Sequence, residues 1–166
     1  TKAGSAGSTS LTWALGGSGE WATAGVAVKG TSFGVATFAT NEDVKIGVNK
    51  QTPIRLRMMV SNGAESSTGS VQYQLQVAET GTCSSGSYTA VGSDTDWQMV
   101  DSAYFVDGAA TSNVASGLTD PPSYSFTAGQ LKDTSDTTGG ISLPVSNFSE
   151  LEFSIQATTS ATSGGD

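Results

Sequence analysis

Carboxylates are the residues best placed to do chemistry in this chain. Glu150 and Glu152 stand two apart, and so do Asp94 and Asp96. Such a pair could serve a retaining glycoside hydrolase, which needs two carboxyl groups about 5 Å apart, one kept protonated as the acid. The alternation of Glu150, Glu152, Ser154 and Gln156 with Leu151, Phe153, Ile155 and Ala157 instead predicts that both glutamates lie on the solvent face of a strand, away from any pocket that would raise one pKa. We therefore expect no enzyme. Other catalytic classes fall on composition. The 166 residues include no His and one Cys, so a Ser-His-Asp triad and imidazole-ligated metals are excluded, and a thiolate at Cys83 lacks an imidazole base.

Asp94, Asp96, Asp101, Asp107, Asp120, Asp133 and Asp136 crowd the second half, with Lys132 the one cation between positions 94 and 136. Asp94-Thr95-Asp96 or Asp107-Gly108 could begin a calcium shell of converging oxygens, although the spacing fits no EF-hand. Turn aspartates that keep the surface acidic account for the same pattern. No cofactor is expected, and calcium at these loops is the ion to consider. Trp13, Trp21, Trp97, Tyr88, Tyr104 and Tyr124 could form a sugar-stacking platform or fill a β core, and Trp97, alternating with Met99, reads as core. Lys45, Lys50 or Lys132 could join Asn49, Asn113 or Asn147 in an isopeptide crosslink beside a buried acid. Cys83 reads as a buried or unpaired thiol, or as one bonded to another chain or to a missing segment. Asn147-Phe148-Ser149 is a glycosylation sequon.

The elements that would position these residues are strands. Ile54, Leu56, Met58 and Val60 alternate with Arg55, Arg57 and Met59; Val71, Tyr73, Leu75 and Val77 alternate with three glutamines. We expect these two runs to pair as antiparallel neighbours. The run ending at Ala157 is a third strand. Shorter strands are expected around 11–15, 21–28, 32–40, 44–48, 88–91, 96–100, 124–127 and 141–145, with one helical turn near 128–132. A spacing of about ten residues is the rhythm of a sandwich or barrel. The composition, 25 Ser, 22 Thr and 21 Gly with 13% charged residues, suits a folded domain with polar, weakly charged connections. A net charge of −8 has the wrong sign for a nucleic-acid or anionic-membrane partner. No apolar stretch approaches the ~18 residues of a membrane span. A start without Met or a signal peptide reads as a mature or trimmed chain.

Pro53-Ile54-Arg55-Leu56-Arg57, Tyr73-Gln74-Leu75-Gln76, Cys83-Ser84-Ser85-Gly86-Ser87-Tyr88, Leu131-Lys132-Asp133-Thr134 and the segment from Glu150 to Ala157 together resemble immunoglobulin-like β-sandwich modules of large predicted surface proteins from uncultivated bacteria, over about residues 50–160. The resemblance implies an all-β, immunoglobulin-like antiparallel sandwich and no enzymatic activity. It also implies a further strand after 150–157, often carrying a second cysteine, for which this sequence has no counterpart. The expectation is thus an incomplete sandwich, closed by a strand from a neighbouring chain. Leu151, Phe153 and Ile155 would line the acceptor edge, and Leu11, Trp13 and Leu15, alternating in a flexible extension of residues 1–18, would be the donor. Residues 19–158 would form the sandwich and 159–166 a flexible tail. The function expected is that of an extracellular or cell-surface structural subunit, polymerising with copies of itself into a filament or surface layer. The alternative is an adhesive or carbohydrate-binding module with a glycan ligand.

Overall fold

The computed structural model describes residues 24–27, 41–44, 46–80, 83–114 and 117–162. These residues are built from strands: β1 (Ala24–Ala27), β2 (Ile54–Asn62), β3 (Ser70–Val71), β4 (Gln76–Val77), β5 (Thr89–Ala90), β6 (Trp97–Met99), β7 (Ser125–Phe126), β8 (Leu131–Lys132), β9 (Ile141–Ser142) and β10 (Asn147–Ala157). The helical content among them is two single 3-10 turns, Cys83–Ser85 and Val91–Ser93. The described residues are all-β, as the period-two runs predict. The donor residues Leu11, Trp13 and Leu15, with Trp21 and Lys45, lie outside the described residues.

The two longest strands, β2 and β10, form the spine of the larger sheet. They pair antiparallel from Asn147 opposite Asn62 to Ile155 opposite Ile54. β1 pairs antiparallel with the far side of β2. Three short strands share the other side of β10: β7 alongside Asn147 and Phe148, β8 alongside Glu152 and Phe153, and β6 alongside Ile155 to Ala157. β7 and β8 run parallel to β10, so the sheet is mixed where an antiparallel one was expected. Between them the chain bulges and keeps its backbone bonds, Thr127 N–H donating to Phe148 O at 2.8 Å and Glu152 N–H to Gln130 O at 3.1 Å. Gly129 permits that approach. A Cβ there would run into the Glu150 carbonyl oxygen, with Ser149 Oγ 2.6 Å away. The helical turn expected near 128–132 is therefore a bulge leading into a strand.

This arrangement overturns the acceptor edge assigned to Leu151, Phe153 and Ile155. The strand that carries them has partners from its own chain on both sides, and all three side chains are fully buried. The segment 124–132 is hard to foresee as the closing partner because its two strands are two residues long, too short to show a period. A second expectation also fails: the runs at 54–60 and 71–77 are not neighbours. β3 pairs with β9 and β4 with β5, while Leu75 N–H donates to Asp136 O and Thr138 N–H to Tyr73 O.

The main core lies between the larger sheet and these short pairs. Ile54, Leu56, Met58 and Val60 of β2 and Leu151, Phe153, Ile155 and Ala157 of β10 meet Leu75, Val77, Val91, Ile141 and Leu143, with Trp97 closing one end. Ala161 joins this core and Thr159 O accepts from Lys50 Nζ at 3.1 Å, so the tail expected to be free from residue 159 begins as packed chain. Asn62 ends β2 with its amide donating to Ser66 O, Leu143 O and Pro144 O at 2.9, 2.9 and 3.2 Å.

Candidate functional site

The opposite face of β2 and β10 holds the chain's two arginines and two of its glutamates. Alternation places Arg55, Arg57, Met59, Phe148, Glu150 and Glu152 on this face, and the register sets Glu152 directly across from Arg57 and Glu150 one pair further along, across from Met59. The long side chains close the diagonals. Arg57 Nε donates to Glu150 Oε2 at 2.6 Å and Arg57 Nη1 to Glu152 Oε2 at 2.9 Å. Arg55 Nε donates to Glu152 Oε1, and its guanidinium carbon sits 5.2 Å from the centre of the Phe105 ring, a cation–π distance. Glu150 is 0% exposed, Glu152 2% and Arg57 5%. The expectation that this face meets solvent is wrong.

The cover comes from the connection between β6 and β7 and from the bulge ahead of β8. Arg57 Nη2 donates to Ser112 O. Thr111 Oγ1 donates to Glu150 O at 2.7 Å and accepts from Gly129 N–H at 2.8 Å. Below the charges, Met59, Leu118 and Phe148 pack with Tyr124 and Phe126, the two Phe rings edge to face at 5.5 Å. Burial pushes the Glu150 carboxyl up from its ordinary value, Asp120 adding to the push while the Arg57 charge opposes it. A backbone hydrogen bond from Val114 to the carboxyl also opposes the rise.

Two close carboxylates, one leaning toward its neutral form and one bridged by two guanidiniums, have the division of labour that glycoside hydrolysis uses. The geometry puts Arg57 between them, where a scissile bond would have to lie, and both are closed off from solvent. What the arrangement does is clamp β2 to β10 with two cations balancing two anions. Burying charges carries a desolvation cost, and a shared, multiply hydrogen-bonded geometry of this kind is what offsets it.

The aspartates are consumed in a different way. Asp94 Oδ1 accepts from the N–H groups of Asp96 and Trp97, both at 2.8 Å. Asp136 Oδ2 accepts from Gly92 N–H at 2.9 Å, and Asp133 Oδ2 from Ser102 N–H at 2.9 Å. Asp107 takes Lys132 Nζ at 2.5 Å and the N–H groups of Asp133 and Thr134 at 3.0 and 3.3 Å. Burial alone would raise Asp107, but the Lys132 hydrogen bond and the two backbone donors outweigh it and hold the carboxyl at about 2. Among the described residues no group of three or more Asp, Glu, Cys or His is arranged to hold a metal ion.

The remaining candidates separate. Lys132 meets Asp107 where an asparagine was expected, Asn113 Nδ2 donates to Asp120 at 2.8 Å, and Asn147 Nδ2 to Thr127 Oγ1 at 2.8 Å. The sequon thus lies within β10, with Ser149 fully buried. Trp97 is core, Tyr124 packs on the second cluster, and Tyr104 is 63% exposed. The clamp itself escapes the sequence reading, although it leaves a signal: Arg55 and Arg57 share the spacing of Glu150 and Glu152 on two strongly patterned strands, with opposite sign. Comparison with known proteins finds no match: no protein-family model, no curated protein and no solved structure aligns with the chain.

Proposed function

We propose that the chain is a structural, non-catalytic module of an extracellular or cell-surface assembly, its strands forming an immunoglobulin-like sandwich. The observation that supports this reading most is the use of the buried charges. Both arginines and the carboxylates most suggestive of catalysis are locked across β2 and β10, a device that joins strands and leaves no room for a substrate. The low charge and the abundance of Ser, Thr and Gly fit a durable external protein. No helix among the described residues is long and apolar enough to cross a membrane.

Self-assembly remains the mode of action we propose, with residues 1–18, including Leu11, Trp13 and Leu15, as the donor. Because β10 is already paired on both sides, the donor must dock on another edge. Electron microscopy and light scattering of the purified chain, with and without residues 1–18, test this. Filaments that disappear on deletion support it. A monomer in both forms defeats it and makes glycan arrays the next measurement, with the exposed Tyr104 as the first aromatic to replace.

A further inference from the structure

Of the asparagines in the chain, Asn62 alone precedes a glycine; the others precede Glu42, Lys50, Val114 and Phe148. A glycine leaves its backbone nitrogen unshielded, so in an open chain that nitrogen can attack the asparagine side-chain carbon, which is one reason asparagine is thermolabile. The fold places this pair at the end of β2, with Asn62 opposite Asn147 at the start of β10. There Asn62 is 4% exposed. Its Nδ2 donates to the carbonyls of Ser66, Leu143 and Pro144, and its Oδ1 accepts from Ala64 N–H at 3.0 Å. Its own carbonyl accepts from Ser146 N–H at 3.0 Å, and Thr68 N–H donates to Leu143 O at 3.0 Å beside it. One side chain thus joins the strand end, the turn at 63–68 and the connection into β10.

This joint has two chemical consequences. Bringing the side-chain carbon against the Gly63 nitrogen gives up the bonds of both Nδ2 and Oδ1 under cover, so the closed fold holds the reacting atoms out of attack geometry. Three carbonyl oxygens around Nδ2 also admit only a donor. A carboxylate in that place sets a buried anionic oxygen against them with no hydrogen to offer.

We propose that Asn62–Gly63 is a fold-gated modification site that makes unfolding irreversible. With the joint open, the Gly63 nitrogen bonds to Asn62 Cγ and loses its proton, while the Cγ–Nδ2 bond breaks and the side-chain nitrogen leaves as ammonia. Solvent water then opens the cyclic imide at either carbonyl, giving aspartate or isoaspartate, and nothing is oxidised or reduced. Aspartate brings the carboxylate, and isoaspartate lengthens the main chain by one carbon where β2 meets β10. Either product keeps the joint from re-forming, which turns an opening into a permanent loss of fold. This inference is independent of the assembly reading above.

Peptide mass mapping tests it on the purified chain, held for days at mildly alkaline pH either folded in buffer or unfolded in guanidinium chloride. The peptide containing Asn62 should gain one mass unit in the unfolded sample and stay unchanged in the folded one. The fraction that refolds on dilution should fall in step with that gain. Equal conversion in both samples overturns the proposal, as does an unfolded sample without conversion or a converted chain that refolds fully. Gly63 is exposed and its φ lies outside the left-handed region, so Gly63→Ala shields the nitrogen without strain. Conversion of the unfolded variant should slow several-fold and its refolding should be retained. Asp107 also precedes a glycine and isomerises without a change of mass; refolding lost as fast in Gly63→Ala as in the wild type would place the damage there and overturn the proposal. Asn62→Asp, which builds one product directly, should lower the thermal midpoint or fail to fold, and a wild-type midpoint overturns the proposal. Should Gly63→Ala not fold, the wild-type comparison and Asn62→Asp decide.

Discussion

The stretch from Ser70 to Val77 and the strand β10 carry the same period-two pattern and end in opposite environments. In the first, Leu75 and Val77 are buried, Val71 and Tyr73 partly so, and Gln72 and Gln74 are exposed. That is the ordinary one-sided pattern, here split between β3 and β4, with neutral glutamines on the outer side. In β10 the apolar face is buried just as completely, but so are Glu150, Glu152 and Ser154. Polar alternation therefore marks two different things: a solvent face where the residues are neutral, and a charge-matched interior where a second strand brings the opposite sign at the same spacing. The difference is physical. Glutamine loses little at the surface, whereas a glutamate under cover holds only with a guanidinium beside it.

Breaking the clamp should separate the two regions most sharply. Arg57→Ala leaves Glu150 without its cation and Glu152 with Arg55 alone, and should cost about 3–5 kcal/mol in urea unfolding. Replacing Arg57, Glu150 and Glu152 together by apolar residues of similar volume should cost far less, since the fold would no longer bury charge. A triple variant as unstable as Arg57→Ala would show that the clamp does more than satisfy itself. Next in size is Gly129→Ala, which sets a methyl against the Glu150 carbonyl and Ser149 Oγ. It should destabilise by about 1–3 kcal/mol through overpacking, read as a lower thermal midpoint. The same exchange at Gly69, open around its Cβ position but at φ 69°, tests strain without a clash.

Acid titration sharpens the contrast between buried and partly exposed charge. Asp107 is held at about 2 against an ordinary 3.8, so its contribution to stability is present above pH 3.8 and is lost as pH falls from there through 2. Asp107→Asn should flatten the stability curve in that window. Its effect at neutral pH should stay below about 1 kcal/mol, because the carboxylate is partly open to water. The smallest change belongs to the one-sided stretch between β3 and β4: Gln74→Ala should alter unfolding free energy by no more than about 0.5 kcal/mol. A larger loss would mean that its neighbours, Thr137 across an isolated bridge and Gln76 at 3.3 Å, matter more than a solvent face allows.

Much of the fold is readable in the residues themselves. The inward sets Ile54, Leu56, Met58, Val60 and Leu151, Phe153, Ile155, Ala157 form the core as their period predicts, and most shorter strands expected in the described regions fall where Gly, Ser and Pro punctuate the chain. Pairing is another matter. Which strand lies beside which depends on long connections that carry no periodic signal, so β2 meets β10 instead of the strand next in sequence. The parallel contacts of β7 and β8 rest on two residues each and on a glycine whose value is the Cβ it lacks. The polar face is misleading for a related reason: a local pattern tells which residues share a side, and only the path of residues 100–124 decides whether that side is covered.

The position of β10 also sets the order of events as the chain folds. The last strand of the described region is the centre of the larger sheet, and the bond between Arg57 and Glu150 spans 93 positions. A nascent chain emerging from its N-terminal end can make β2, β3 and β4 and still have nothing to fill the middle, with Leu56 and Met58 exposed until Leu151 and Phe153 arrive. Long-range closure of this kind slows folding and leaves unfinished forms open to aggregation. A chain cut before Asn147 would lose half of its main core and the clamp in one step, leaving β6, β7 and β8 without the strand they pair with and β2 with β1 alone.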